Sequence, residues 1–169
     1  MQNHNRAFLD RAAKAAEDAG CIFPTMAACE AALESGYGTS ALARSDNNLF
    51  GMKQHKHAIY GTHNLPTREY VGIPKEQAMG TPDGVLDGWI QVVAGWIVYP
   101  DWPSCFKDRQ DTLVRLSTVS GFEHYMDALN ATDSVTYVKC VSAKWSTDPK
   151  RAEKVIAVYD MYMADGGSR

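Results

Sequence analysis

The chain has 169 residues, 45% of them hydrophobic and 22% charged, which is the profile of one globular domain that builds its own core. With a formal charge of −3, nothing in the composition suggests nucleic-acid binding, which normally needs a basic face to neutralise phosphates. No stretch approaches the roughly 20 apolar residues of a membrane span, and residues 1–11 lack the apolar run of a secretory signal, so synthesis in the cytoplasm without a membrane partner is expected.

A first helix is expected over Asn5–Ala19, where Phe8, Ala12, Ala15, Ala16 and Ala19 recur at helical spacing and Gly20 supplies a stop. A second should run from Pro24 or Thr25 to Ser35, with Met26, Cys29 and Leu33 along one side and Gly36 at its end. From Gly36 to Pro100 the helical period fades and glycines and prolines punctuate the chain, so short strands are expected, with a hairpin over Ile59–Val71. The apolar segment Trp89–Tyr99 fits a buried strand and a helical turn equally well.

Helices then resume. Trp102, Phe106, Arg109, Leu113 and Leu116 share a face, and Asp133 is placed to cap a helix carrying Val138, Val141 and Trp145. Asp148 followed by Pro149 signals the start of a last helix that turns Ala152, Val155, Ile156 and Tyr159 inward. The mixed charges of Lys150, Arg151, Glu153 and Lys154 read as a solvated helix face. The resulting layout is α+β and mainly helical, a single domain over 1–169 with a helical lobe at about 5–50 and 100–163 and a small β-lobe at about 55–99, leaving a cleft between the lobes. Cys21, Cys29, Cys105 and Cys140 lie far apart without CxxC spacing and are expected to be free, buried thiols.

The segment Pro24–Lys53, PTMAACEAALESGYGTSALARSDNNLFGMK, carries the strongest chemical signal. It sets Glu34 at the end of an apolar helix, followed at once by Ser-Gly-Tyr-Gly, where a rigid element meets an open turn. A general acid for glycoside cleavage needs such a mount, rigidly aimed and partly desolvated. A free glutamate titrates near about 4.3 and a catalytic acid near about 6, a difference of roughly 2 kcal/mol that burial can supply. By itself this fragment fits a surface glutamate as well as an acid.

The same segment resembles the signature of glycoside hydrolase family 73, a family of peptidoglycan-cleaving autolysins and flagellar hydrolase domains. The likeness runs through Pro24-Thr25, Leu33-Glu34-Ser35-Gly36-Tyr37-Gly38 and Asn47-Asn48-Leu49-Phe50-Gly51-Met52-Lys53. It continues in Thr67-Arg68-Glu69-Tyr70, in Val98 to Phe106 and in Trp145-Ser146-Thr147-Asp148-Pro149. Ser146 stands where the family has alanine, and Arg151 where it often has tyrosine. The resemblance implies a lysozyme-like fold, hydrolysis of the β-1,4 bond after N-acetylglucosamine in peptidoglycan, Glu34 as general acid, and no cofactor.

Within that frame Glu69 is the candidate second carboxylate. In an inverting enzyme it would activate water, with carboxyls about 6.5 to 9.5 Å apart. The 2-acetamido group of the substrate could serve as nucleophile instead. Tyr37 and Trp145 are candidates to stack on sugar faces, while Tyr125 reads as core. Asn47 and Asn48 suit a loop-locking role first and contact with substrate amides second.

His55, His57 and His63 lack the partners of a metal site and read as a polar loop, and neither a phosphate loop nor a GxSxG elbow is present. The expected partner is the peptidoglycan glycan strand, met by a monomer acting as a phage endolysin or autolysin on the cell wall. A muramidase or lytic transglycosylase is the nearest alternative, and an inactive wall-binding module the next.

Overall fold

Helix α1 (Asn3–Asp18) buries the apolar side that its spacing announces, with Phe8, Leu9, Ala12, Ala13, Ala15 and Ala16 all buried. In the computed structural model, residues 1–70 and 89–167 are described, with backbone alone at 68–70 and 89–90. Among them are seven helices and one two-stranded sheet, a mainly helical α+β fold of the lysozyme-like kind. The chain forms two compact units, Met1–Met52 with Tyr99–Arg169 and, separately, Lys53–Val98.

The first unit is built on α2 (Pro24–Ser35), where every residue from Thr25 to Ala32 is buried, Glu30 included. A helix covered on all sides belongs inside a bundle, and α2 packs against α1 and against α7 (Arg151–Ala164). Small alanines along α2 let its neighbours approach closely. Helix α3 (Ala41–Asp46) starts on the Ser40 hydroxyl, which accepts from the Ala43 amide. Helix α4 (Trp102–Leu116) and α6 (Ser134–Trp145) start on Asp101 and Asp133, whose carboxylates accept from Ser104 and Thr136 amides at 2.8 Å. Helix α5 (Glu123–Leu129) lies between them and packs on both.

The second unit contains β1 (Thr62–Tyr70) and β2 (Trp89–Ile97), paired antiparallel from Thr62 opposite Ile97 to Tyr70 opposite Trp89. The segment Trp89–Tyr99, ambiguous by periodicity, is therefore strand over most of its length. The hairpin expected over Ile59–Val71 does not form there. Residues Thr62–Tyr70 make one continuous strand whose partner lies downstream, and Val71 is outside the described residues. Pro66 read as a turn signal, yet it sits inside β1 opposite Val93. A two-stranded sheet has only edge strands, so a proline without an amide hydrogen is tolerated.

The last helix also departs from expectation. Asp148 and Pro149 form a turn, in which the Asp148 carboxylate accepts from the Lys150 amide at 2.9 Å, and α7 begins at Arg151. Its buried stripe is Arg151, Val155, Val158 and Tyr162, with Ala152, Ile156 and Tyr159 only half-buried. Arg151, read as part of a solvated face, is 2% exposed. The four cysteines are free, three buried and Cys140 half-buried.

Candidate active site

Glu34 is the penultimate residue of α2, and the chain beyond it is closed by a run of left-handed backbone. Gly36, Tyr37 and Gly38 have φ of 58°, 55° and 76°. The Tyr37 amide donates back to the Ala32 carbonyl at 2.8 Å, a helix-ending bond that glycine at position 36 permits. A tyrosine held at positive φ is a strained choice that its surroundings must enforce. The enforcement is visible: Ser35 Oγ accepts from the Gly38 amide at 2.8 Å and donates to the Ala31 carbonyl at 2.6 Å. At Gly38 a β-carbon would lie 2.9 Å from the Phe8 ring. The mount of Glu34 is thus rigid on both sides.

The Glu34 side chain is 28% exposed, and its Oε1 accepts from Arg151 Nε at 2.9 Å. The residue as a whole is exposed, because backbone at the helix end is open. Behind it runs a buried chain of alternating charge. Arg151 Nη1 donates to Glu30 Oε1 at 3.3 Å and to Ser142 Oγ at 2.8 Å. The other Glu30 oxygen is ion-paired to Arg109, whose Nη1 donates to the Tyr137 hydroxyl at 2.5 Å. Glu30 and Arg109 are fully buried.

Burial alone would lower the Arg109 guanidinium's affinity for its proton. Glu30, and after it Tyr137, outweigh that and hold it above the ordinary value. The Tyr137 phenol is pushed up to about 12 by burial, against the opposing pull of Arg109. Arg109 also stacks near three aromatic rings, 5.4 Å from the centroids of Phe50 and Trp145 and 5.7 Å from that of Tyr137.

The other residues singled out in the sequence fall in different places. Trp145 ends α6 half-buried, edge-on to Phe50 at 6.3 Å and over Arg109. It lines a surface groove of about 810 Å³ that includes Ser142, Ser146, Asp148, Pro149 and Ala152, and Ser142 joins this groove to the Arg151 network. Glu34 is not part of its lining. Tyr37 is half-buried, edge-on to Phe8 at 6.1 Å, and burial raises its phenol. Tyr125 is core, 2% exposed.

Asn47 takes the left-handed position ending α3 and donates to the Tyr99 and Pro100 carbonyls at 3.0 and 3.3 Å. Asn48, 1% exposed, holds the Met52 amide at 2.8 Å and carbonyl at 2.9 Å. Both are engaged in holding the loop to Gly51. Glu69 lies in β1 opposite Ile90, and its side chain is outside the described residues, as are those of Arg68 and Tyr70.

Sequence reasoning gave Glu30 no role and read Arg151 as part of a solvated face, so it missed the part both play beside Glu34. Two signals pointed to them. Arg109 shares an apolar stripe with Trp102, Phe106 and Leu113, and a buried guanidinium requires a buried anion. Glu30 stands one helical turn before Glu34, on the same side of α2.

The lysozyme-like α+β fold, together with the family match, defines the chain as a glycoside hydrolase by class. A family model described as mannosyl-glycoprotein endo-beta-N-acetylglucosaminidase matches residues 10–164, and the chain belongs to this glucosaminidase family, glycoside hydrolase family 73. Among curated proteins, a probable N-acetylmuramidase of Lactococcus lactis subsp. cremoris is 28% identical over 98% of the chain, which spans 36% of that relative's length. Among solved structures, the catalytic domain of the autolysin Auto from Listeria monocytogenes superposes with a TM-score of 0.75 at 22% identity, covering 96% of this chain and 86% of that one. A C-terminally truncated glycoside hydrolase domain of Salmonella typhimurium FlgJ gives 0.68 at 21%, covering 95% and 98%. Among the described residues no helix is long and apolar enough to cross a membrane.

Proposed function

We propose that this chain is the catalytic domain of a peptidoglycan hydrolase that cleaves the β-1,4 bond after N-acetylglucosamine, with Glu34 as general acid. The observation that carries this reading is the mounting of Glu34. Its carboxyl stands at the end of a buried helix, clamped by three left-handed residues and partly withdrawn from water. Glu34 gives its proton to the glycosidic oxygen as the C1–O bond breaks. Water then adds at C1 and gives up a proton, which Glu69 accepts in an inverting route. In a substrate-assisted route the 2-acetamido oxygen closes on C1 first, and Glu69 orients it. Tyr37 and Trp145 offer flat faces for sugar rings, and Asn47 and Asn48 hold the loop beside them. The enzyme works as a monomer on the cell wall, as an endolysin or autolysin.

The name of the lactococcal relative favours a second reading, cleavage at the muramic acid side. Mass spectrometry of digested peptidoglycan separates the two. New reducing ends on N-acetylglucosamine support the glucosaminidase reading. Reducing or anhydro ends on N-acetylmuramic acid overturn it.

A further inference from the structure

Four charges alternate between the core and the site: Arg109, Glu30, Arg151, Glu34. Their side chains are 0%, 0%, 2% and 28% exposed, so Glu34 is the member through which a proton can enter from solvent. The set is neutral when Glu34 is ionised and carries one positive charge when Glu34 is protonated.

Glu30 already has Arg109 as its counter-ion, in direct contact. Arg151 is therefore a second buried cation, and the charge that balances it is Glu34. Its Nη2 lies buried without a hydrogen-bond partner among the described residues.

We propose that Arg151 is a positioning residue for Glu34, orienting the carboxyl through Nε and collecting the negative charge that appears when the proton leaves. The inference rests on Glu34 being the general acid. A guanidinium in contact makes the conjugate base more stable, so proton transfer to the leaving oxygen is more favourable at the transition state. The charged and titratable groups around the pair are Glu30 on α2, Arg109 on α4, Tyr125 on α5 and Tyr137 on α6. Tyr137 is tied to Arg109, and Tyr125 responds electrostatically to both arginines. None of the four displaces Arg151 as the contact on Glu34.

The test is the pH–rate profile for lysis of purified peptidoglycan by the wild type, Arg151→Lys and Arg151→Tyr. Tyrosine removes the charge but keeps bulk and a hydroxyl. Arg151→Tyr should lower the maximal rate about tenfold and move the alkaline fall-off of the profile upward, because the positive charge in contact with Glu34 is gone. Arg151→Lys, which keeps the charge and loses the forked geometry, should lower the rate and leave the fall-off in place. An unmoved fall-off in Arg151→Tyr, or a displaced one in Arg151→Lys, overturns the proposal. Glu34→Gln is run beside them: if it stays active, the assignment of the acid has failed, whatever the arginine variants do.

Discussion

Arg151 Nε and Glu34 Oε1 meet at 2.9 Å although 117 positions separate them in the chain. The contact joins the first residue of the last helix to the end of α2, so the C-terminal helix helps to set the charge and direction of the candidate acid. It also explains why two guanidiniums can be buried in a small helical unit. Each touches a carboxylate, and Glu30 touches both.

Glu30 is accordingly the residue on which burial of both arginines depends. Glu30→Gln leaves Arg109 and Arg151 buried against a neutral amide. Stripping one partner from such a network costs about 3–5 kcal/mol. Urea denaturation should show a loss of that size, and a loss below about 1 kcal/mol would mean that the arginines find other partners.

Gly38→Ala tests the clamp behind Glu34. Alanine there meets both a φ of 76° and the Phe8 ring at 2.9 Å. A destabilisation of about 1–3 kcal/mol is expected, with a loss of lytic rate as the loop shifts. An unchanged melting temperature together with full activity would show that the loop does not need this geometry.

Much of this fold is legible in the sequence. Helix α1 announced itself through an alanine face that is buried where the spacing put it, and α2 through Pro24 and Gly36. The family motif led directly to Glu34. The missing parts share a physical cause: pattern reading assigns charge to solvent. Arg151 reads in the sequence as one more member of a mixed-charge surface run, and the inward stripe expected for α7 shares only Val155 with the buried line of Arg151, Val155, Val158 and Tyr162. Pro66 misled in a similar way, because proline marks a turn in most contexts but is tolerated in a strand that is an edge. Which strand pairs with β1 depends on a distant segment, and local alternation does not encode that.

Burial raises the Cys29 and Cys105 thiols to about 12, the Cys21 thiol to about 11 and the Tyr137 phenol to about 12, from ordinary values of 9.0 and 10.0. A group whose folded value exceeds its unfolded one stabilises the fold fully below the unfolded value and loses that contribution as pH rises toward the folded one. The melting temperature should therefore hold up to a pH of about 9 and fall on approach to about 12. Cys29→Ala should soften that fall. In the folded protein at mild pH a thiol reagent should label Cys140 and leave the other three until denaturant is added. Rapid labelling of all four would contradict their burial.

The most direct test of the central claim is Glu34→Gln assayed on purified peptidoglycan alongside its melting temperature and its sedimentation with the insoluble wall. The amide keeps the shape and the acceptor toward Arg151 but has no proton to give. The expected result is a lytic rate lower by on the order of 10²- to 10⁴-fold, with wall binding and thermal stability close to wild type. Wild-type lysis by a folded Glu34→Gln protein would contradict the account.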